Sequence, residues 1–255
     1  MVKKYLIIGD VHADFEPFQK AVTYAQENNL HLVSVGDLID GGPDGAKCCS
    51  LMLDLLRTGN ASIVKGNHEH KIIRYIDGAN VILGPPNIVT TEQFTQPGGK
   101  QFQNDFEDIV RDFCKDFIQL DDSIFITHAG MEPDFWRAID QGDEFTKKMQ
   151  NTMMFGQADY KKTFEHKGQL YPFRTYDWKD SVPAGITLFV GHDPAPLTGE
   201  PDFDNFQAKP LDHTNENGGR IIWLDCGAGK GGSLWGTVVN SDAGQDDPVE
   251  DFIEF

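Results

Sequence analysis

The amino-acid sequence predicts an α/β fold with a mostly parallel sheet at its start. Two observations carry this. Short β-rich apolar runs alternate with stretches of helical spacing in the order β-α-β-α-β. Five apolar runs also end abruptly in a short motif of Gly with Asp, Asn or His.

Residues 5–8 are apolar and end at Gly9-Asp10, as a buried strand delivering polar residues at its carboxyl end would. Over 15–29, Phe15, Phe18, Val22 and Ala25 recur at the spacing of an amphipathic helix. Residues 31–35 give a second strand, again ending in Gly-Asp. A second helix follows over 46–57, with Leu51 and Leu55 on its apolar face. Residues 62–65 give a third strand, ending in Gly-Asn-His. The stretch 80–99 is rich in Gly, Pro, Thr and Asn and reads as a loop. Residues 101–117 are helical by pattern, and 123–127 form a strand ending at His128. Residues 133–158 read as helical in pieces, and the aromatic, polar stretch 159–183 as a cap over one end of the sheet. A strand at 187–190 ends at Gly191-His192. Residues 197–219 lack periodicity and read as a loop. Residues 221–224 and 233–239 read as a closing β pair, joined by a glycine-rich turn at 227–232. The segment 241–255 has six acids and no base and reads as a solvated tail. Its Phe252, Ile253 and Phe255 leave room for docking on the body or on a partner.

Composition narrows the function. A chain of 255 residues with 39% apolar and 24% charged residues suits a globular enzyme with a substantial core. Its net charge of −18, with 22 Lys and Arg against 40 acids, disfavours nonspecific duplex binding and membrane-surface binding. An acidic protein still accepts a phosphorylated substrate if bound cations reverse the local sign. Cys48, Cys49, Cys114 and Cys226 form no C-x-x-C pair and read as buried reduced thiols. The apolar run after Lys3-Lys4 is too short for a secretory signal, and no run is long enough to span a bilayer. A cytoplasmic protein is the expectation.

The five motifs are Gly9-Asp10-Val11-His12, Gly36-Asp37-Leu38-Ile39-Asp40, Gly66-Asn67-His68-Glu69, His128-Ala129-Gly130 and Gly191-His192. In an open α/β sheet, carboxyl strand ends are where sites assemble. Asp10, His12, Asp37, Asn67, His128 and His192 supply nitrogen and oxygen donors without thiolates, a set suited to Mn, Fe or Zn in a reactive centre. A pair of ions needs a bridging anion, and Asp37, in the middle early motif, is the candidate. Each motif alone is an ordinary turn. Their force lies in occurring in order, each after an apolar strand.

As a set, they resemble the calcineurin-like metallophosphoesterase superfamily in its phosphoprotein-phosphatase-type branch, over residues 5–240. That branch reads Gly-Asp-x-His, Gly-Asp-x-x-Asp-Arg-Gly, Gly-Asn-His-Glu, His-x-Gly and Gly-His-Thr-Pro. The nearest flavour is bacterial diadenosine tetraphosphatases and the phosphatase module of polynucleotide kinase-phosphatases. Residues 65–75, the insert at 155–178 and the Leu224-Asp225-Cys226-Gly227 ending carry that similarity. The resemblance implies a four-layer α-β-β-α sandwich over 1–240, with a cap insertion at 143–183 and the acidic tail at 241–255. It implies two divalent ions, with Mn favoured and Fe or Zn as alternatives. Asp10, His12 and Asp37 would hold the first, and Asp37, Asn67, His128 and His192 the second. A metal-bridging hydroxide would be the nucleophile. His68 would protonate the leaving oxygen, with Asp40 orienting its ring.

The implied substrate is a nucleotide, a phosphoprotein or a polynucleotide end. Phosphomonoester hydrolysis ranks first, dinucleoside polyphosphate hydrolysis or polynucleotide-end phosphatase activity second, and an inactive metal-binding scaffold last. The sequence departs from the branch at three positions. Gly41 replaces the usual phosphate-clamping Arg, which opens space and leaves Arg174 as the candidate clamp ahead of Arg74. Ala13 stands where Gly is common, and Asp193, where Thr is common, adds negative charge near the metals unless it faces away. His70 reads as a helix-surface residue, and His31, His166 and His213 as structural or exposed. Asp225 reads either as a partner of a ligand histidine or as a turn residue. The four Trp read as core, with Trp178 or Tyr176 open to stacking a nucleobase.

Overall fold

The computed structural model describes residues 4–166, 169–197, 206–241 and 247–255. The first half alternates as expected: β1 (Lys4–Ile8), α1 (Phe15–Glu27), β2 (His31–Ser34), α2 (Gly45–Arg57), β3 (Ala61–Ile63) and α3 (Asn67–Ile76). β1, β2 and β3 are parallel neighbours. Next come α4 (Pro85–Gln93), α5 (Gly99–Asp108), a π-helical turn at Ile109–Phe113, β4 (Phe117–Gln119) and β5 (Ile124–Thr127). They lead to α6 (Asp134–Gln141), α7 (Lys147–Phe155), and β6 (Gln157–His166) and β7 (Gln169–Thr175), which pair as an antiparallel hairpin. The chain closes with β8 (Thr187–Val190), β9 (Leu211–Thr214), β10 (Arg220–Trp223), β11 (Trp235–Asn240) and β12 (Val249–Glu254).

Two five-stranded sheets result, ordered β12-β11-β1-β2-β3 and β4-β5-β8-β10-β9. The period-2 alternation of strand side chains builds four layers. Leu6 and Ile8 point outward to Phe18, Leu53, Ile72 and Phe106 of the helices. Tyr5 and Ile7 point inward, where with Val33 and Val35 they pack on Ile126, Phe189 and Ile222 of the second sheet. On that sheet's far face, Phe125, Leu188 and Trp223 cover Phe135, Met149 and Trp178. The architecture is the α-β-β-α sandwich. No helix among the described residues is long and apolar enough to cross a membrane.

Five local expectations change. The loop at 80–99 contains α4, started by Pro85 in the first turn after Gly84, a placement that suits proline because its missing N–H has no helical partner there. The loop at 197–219 contains edge strand β9, and the helix at 101–117 gives way to β4. The segments at 221–224 and 233–239 do not pair with each other: β10 joins β8 and β9, whereas β11 joins β1 and β12. The acidic end is not simply a solvated tail. β12 adds to the sheet edge beside β11, sets Ile253 and Phe255 against the helical core, and leaves Glu250, Asp251 and Glu254 in water. Charged side chains on an edge strand are tolerated and blunt further pairing. Residues 242–246 of the expected tail lie outside the described residues.

Candidate metal centre

Six strand ends meet at one rim of the sandwich. β1 leads to Asp10 and His12, β2 to Asp37, β3 to Asn67, β5 to His128, β8 to His192 and β10 to Asp225. Backbone bonds lock these turns together. The Asp37 carbonyl accepts from Val11 N (3.1 Å) and His12 N (2.9 Å), and the His128 carbonyl from Gly191 N (2.8 Å). His192 N donates to Asp10 Oδ2 (3.0 Å), which joins the two sheets. The Glu69 carboxylate accepts from Asp37 N, Leu38 N and Gly66 N at 2.9, 2.9 and 3.0 Å, clasping the second motif to the third. Its sequence signal was a Glu three residues after the Gly66 helix cap. Of the seven described non-glycine residues with positive φ, five lie here: His12, Ala13, Asp37, Asp40 and His192. Strained backbone of this kind persists only where its surroundings over-determine it.

All six nominated ligands come together, and Asp225 joins them. Three donor groups lie within 4.8 Å: Asp10, His12 and Asp225; His12, Asp37 and His68; Asp37, His128 and His192. His12 donates from Nδ1 to the Asp40 carbonyl (2.9 Å), and His128 from Nδ1 to the Val35 carbonyl (2.8 Å). Both Nε2 lone pairs are thereby aimed inward, the arrangement that prepares an imidazole for a cation. His128 Nε2 and His192 Nδ1 converge on Asn67 Oδ1 at 3.0 and 2.7 Å. Asp37 Oδ2 lies 3.4 Å from His128 Nε2 and 3.7 Å from His12 Nε2, so one carboxylate faces both sets of imidazoles.

The electrostatics fit divalent cations. Asp10 Oδ1 and Asp225 Oδ2 are buried without a hydrogen-bond partner. Burial, then the charges of Asp225 and Asp37, pushes the Asp10 carboxyl well above its usual range, and burial raises Asp225 too. Burial, then the Arg174 charge, holds His192 well below the usual imidazole value and so neutral, as a ligand must be. Three carboxylates crowded into a dry rim repel one another until cations join them.

His68 stands apart from the other imidazoles in its bonding. Its Nδ1 lies 2.7 Å from Asp40 Oδ2, and its Nε2 faces Asp37 Oδ2 at 3.8 Å. Asp40 also accepts from Asn87 Nδ2 and Thr90 Oγ1, both on α4. Those two residues were invisible in the sequence because their segment read as a loop.

Two cations flank the centre. Arg174 Nη1 lies 3.3 Å from the His192 carbonyl and 3.4 Å from Asp193 Oδ2. Asp193 also accepts from the Tyr176 hydroxyl and from Ala195 N (3.2 Å), so its oxygens are engaged in this side network. On the other flank, Lys230 Nζ lies 2.6 Å from His12 Nε2. Its only signal in the sequence was a lysine within a glycine-rich turn. Gly41 opens no space for a bulkier phosphate: a Cβ there would meet His12 Cβ and the His12 carbonyl at 3.2 Å and the Gly229 carbonyl at 3.3 Å. Trp178 is 1% exposed and packs on Trp223, so it is core and not a stacking platform. His70 packs on Phe155, His31 meets Ser62, and His213 lies by Trp223. The His166 side chain lies outside the described residues.

Comparison with known proteins agrees with this geometry. The sequence model for calcineurin-like phosphoesterases matches residues 3–222. The bis(5'-nucleosyl)-tetraphosphatase PrpE [asymmetrical] of Bacillus mycoides is 27% identical over 247 residues, covering 91% of this chain and 89% of the relative. The protein of that name from Oceanobacillus iheyensis is 27% identical over 202 residues, covering 74% of this chain and 76% of the relative. A solved structure provisionally described as a diadenosine tetraphosphatase superposes with a TM-score of 0.60 at 18% identity, over 100% of this chain and 94% of that one. A serine/threonine phosphatase of Saccharomyces cerevisiae similar to human PP5 gives 0.53 at 14% identity, over 99% and 79%. At those identities the structural likenesses speak for the fold alone.

Proposed function

This chain belongs to the calcineurin-like phosphoesterase family, and from that premise we propose that it hydrolyses dinucleoside polyphosphates with a pair of divalent ions. It is a hydrolase acting on phosphate esters. The names of the relatives favour the substrate that the sequence alone ranked second, ahead of phosphomonoesters and phosphoproteins. The observation that carries the two-ion reading is Asp37, whose carboxylate belongs to donor groups on both sides of the rim.

In this reading Asp10, His12, Asp37 and Asp225 hold one ion, and Asp37, Asn67, His128 and His192 hold the other. Mn suits the mixed nitrogen and oxygen set, with Fe or Zn as alternatives. When bound, such a pair lowers the pKa of water and screens the charge of the phosphate chain. His68 is the proton donor rather than a ligand. Asp40 holds its Nδ1, so Nε2 is free to protonate the leaving oxygen. Arg174 binds a phosphate oxygen from the His192 side. A nucleotide substrate also suits a cytoplasmic location with reduced thiols.

The test is a substrate panel in Mn buffer: diadenosine tetraphosphate, a phosphopeptide and a chromogenic phosphomonoester. The expected result is cleavage of diadenosine tetraphosphate to ATP and AMP with the highest kcat/KM of the three. A higher kcat/KM on the phosphopeptide or the monoester would return the chain to the phosphomonoesterase reading.

A further inference from the structure

Lys230 is a solvent-exposed residue whose ammonium nevertheless reaches into the ligand cluster. The glycine-rich loop sets its root. Gly227, Gly229 and Gly231 all have positive φ, and Gly229 N donates to Asp14 Oδ2 (3.3 Å). A Cβ at Gly229 would run into the His12 carbonyl, so only glycine lets this loop press on the His12 turn. Lys230 N then bonds back to the Gly227 carbonyl at 3.0 Å. The backbone of Lys230 is thus fixed at the mouth of the centre, while its four-carbon stem leaves the charge free to swing.

His12 Nε2 is the atom a divalent ion would take, and an ammonium cannot share one lone pair with a metal. The contact with His12 is therefore not where Lys230 stays in a loaded centre. Its charge is confined by its tether to the mouth beside His12, whereas Arg174 lies beside the His192 carbonyl. One cation beside the Asp10–His12–Asp225 group and another beside His192 give two anchoring points. A single phosphoryl group needs one. A polyphosphate chain uses both.

We propose that Lys230 is a substrate-binding residue that takes a non-reacting phosphate of a polyphosphate chain on the His12 flank and so selects chains over single phosphoryl groups. This rests on the hydrolase reading above. The test compares metal-loaded wild type with Lys230→Met and Lys230→Arg. Tripolyphosphate and orthophosphate binding are measured by calorimetry, KM and kcat on diadenosine tetraphosphate and a chromogenic monoester by assay, and Mn affinity by titration.

In Lys230→Met, tripolyphosphate affinity should fall about 10-fold, as loss of one charge-assisted contact implies. KM for diadenosine tetraphosphate should rise about as much, with kcat changed less than about 2-fold. Orthophosphate binding and monoester KM should change by under about 3-fold, and Lys230→Arg should restore the wild-type pattern within about that margin. Mn should bind the Met variant no more weakly than wild type. Unchanged tripolyphosphate affinity, or a loss that tracks weakened Mn binding, would overturn the proposal. Should wild type fail to cut diadenosine tetraphosphate, the substrate reading falls, but the calorimetry still decides on Lys230. Should the Met variant not fold, Lys230→Gln checked by circular dichroism replaces it, with the same outcomes.

Discussion

His68 Nδ1 stands 2.7 Å from Asp40 Oδ2, and Asp40 is in turn gripped by Asn87 and Thr90 of α4. The chain of contacts runs from a helix outside the sheet, through a buried carboxylate, to a ring at the edge of the ligand cluster. Burial alone would lower the His68 pKa. The Asp37 charge and the Asp40 contact outweigh it and raise the value above that of an ordinary imidazole.

Replacing the ring removes the proton donor without touching the ligands. His68→Asn should lower kcat by ~10²–10⁴ while elemental analysis finds the metal content of wild type. The wild-type kcat should fall on the alkaline side as His68 loses its proton, and Asp40→Asn, which removes the carboxylate beside Nδ1, should move that limb to lower pH. A variant with full turnover would remove His68 from the chemistry.

Asn87→Ala and Thr90→Ala each take one hydrogen bond from Asp40. Because a bond to a charged group contributes about 1.5–3 kcal/mol, either change should lower kcat by roughly 10-fold. Metal content should stay constant. An effect confined to melting temperature would reduce α4 to a structural brace.

At Gly41 the backbone has φ +111, a conformation that side chains rarely adopt, and a Cβ would crowd His12. Placing at this position the arginine of the Gly-Asp-x-x-Asp-Arg-Gly motif should therefore not raise activity. Gly41→Ala alone should cost ~1–2 kcal/mol of stability, and Gly41→Arg at least as much, read as a lowered urea midpoint. A fully stable Gly41→Arg enzyme with higher turnover would show that the loop adapts.

Glu132 ties α7 and the β6–β7 hairpin to the turn after His128. It accepts from Lys148 and Thr152 at 2.6 Å and from Gln157 at 3.1 Å. Burial alone would raise its pKa, but these donors outweigh it and hold the carboxyl below the usual glutamate range. A depressed acid stabilises the fold above its unfolded pKa and loses that contribution as pH falls through the folded value. Glu132→Gln should lower the melting temperature at pH 7 by roughly 2–4 °C. The two melting curves should converge as pH falls through the lowered folded value. A gap that persists in acid would mean that shape rather than charge is at work.

Much of this was legible in the sequence. Apolar runs such as Tyr5 to Ile8, ending in Gly-Asp, named both the strands and the rim where they deliver their ligands. All six nominated ligands sit in such motifs, where the local backbone dictates where the side chain goes. Residues that act from elsewhere in the chain were hidden. Asn87 and Thr90 sit in a Gly- and Pro-rich stretch, and only the packing of α4 brings them to Asp40. Lys230 looked like one more turn lysine because its reach to His12 spans 218 positions. β12 was masked by its acidity, since an edge strand needs to bury only part of its surface.

The central claim is that Asp37 lies between two ions. Anomalous scattering from crystals soaked in Mn tests it most directly. The account predicts two peaks ~3.5–4 Å apart, one beside Asp10, His12 and Asp225, the other beside Asn67, His128 and His192, with the Asp37 carboxylate touching both. A single peak, or two peaks with Asp37 bound to neither, would contradict it.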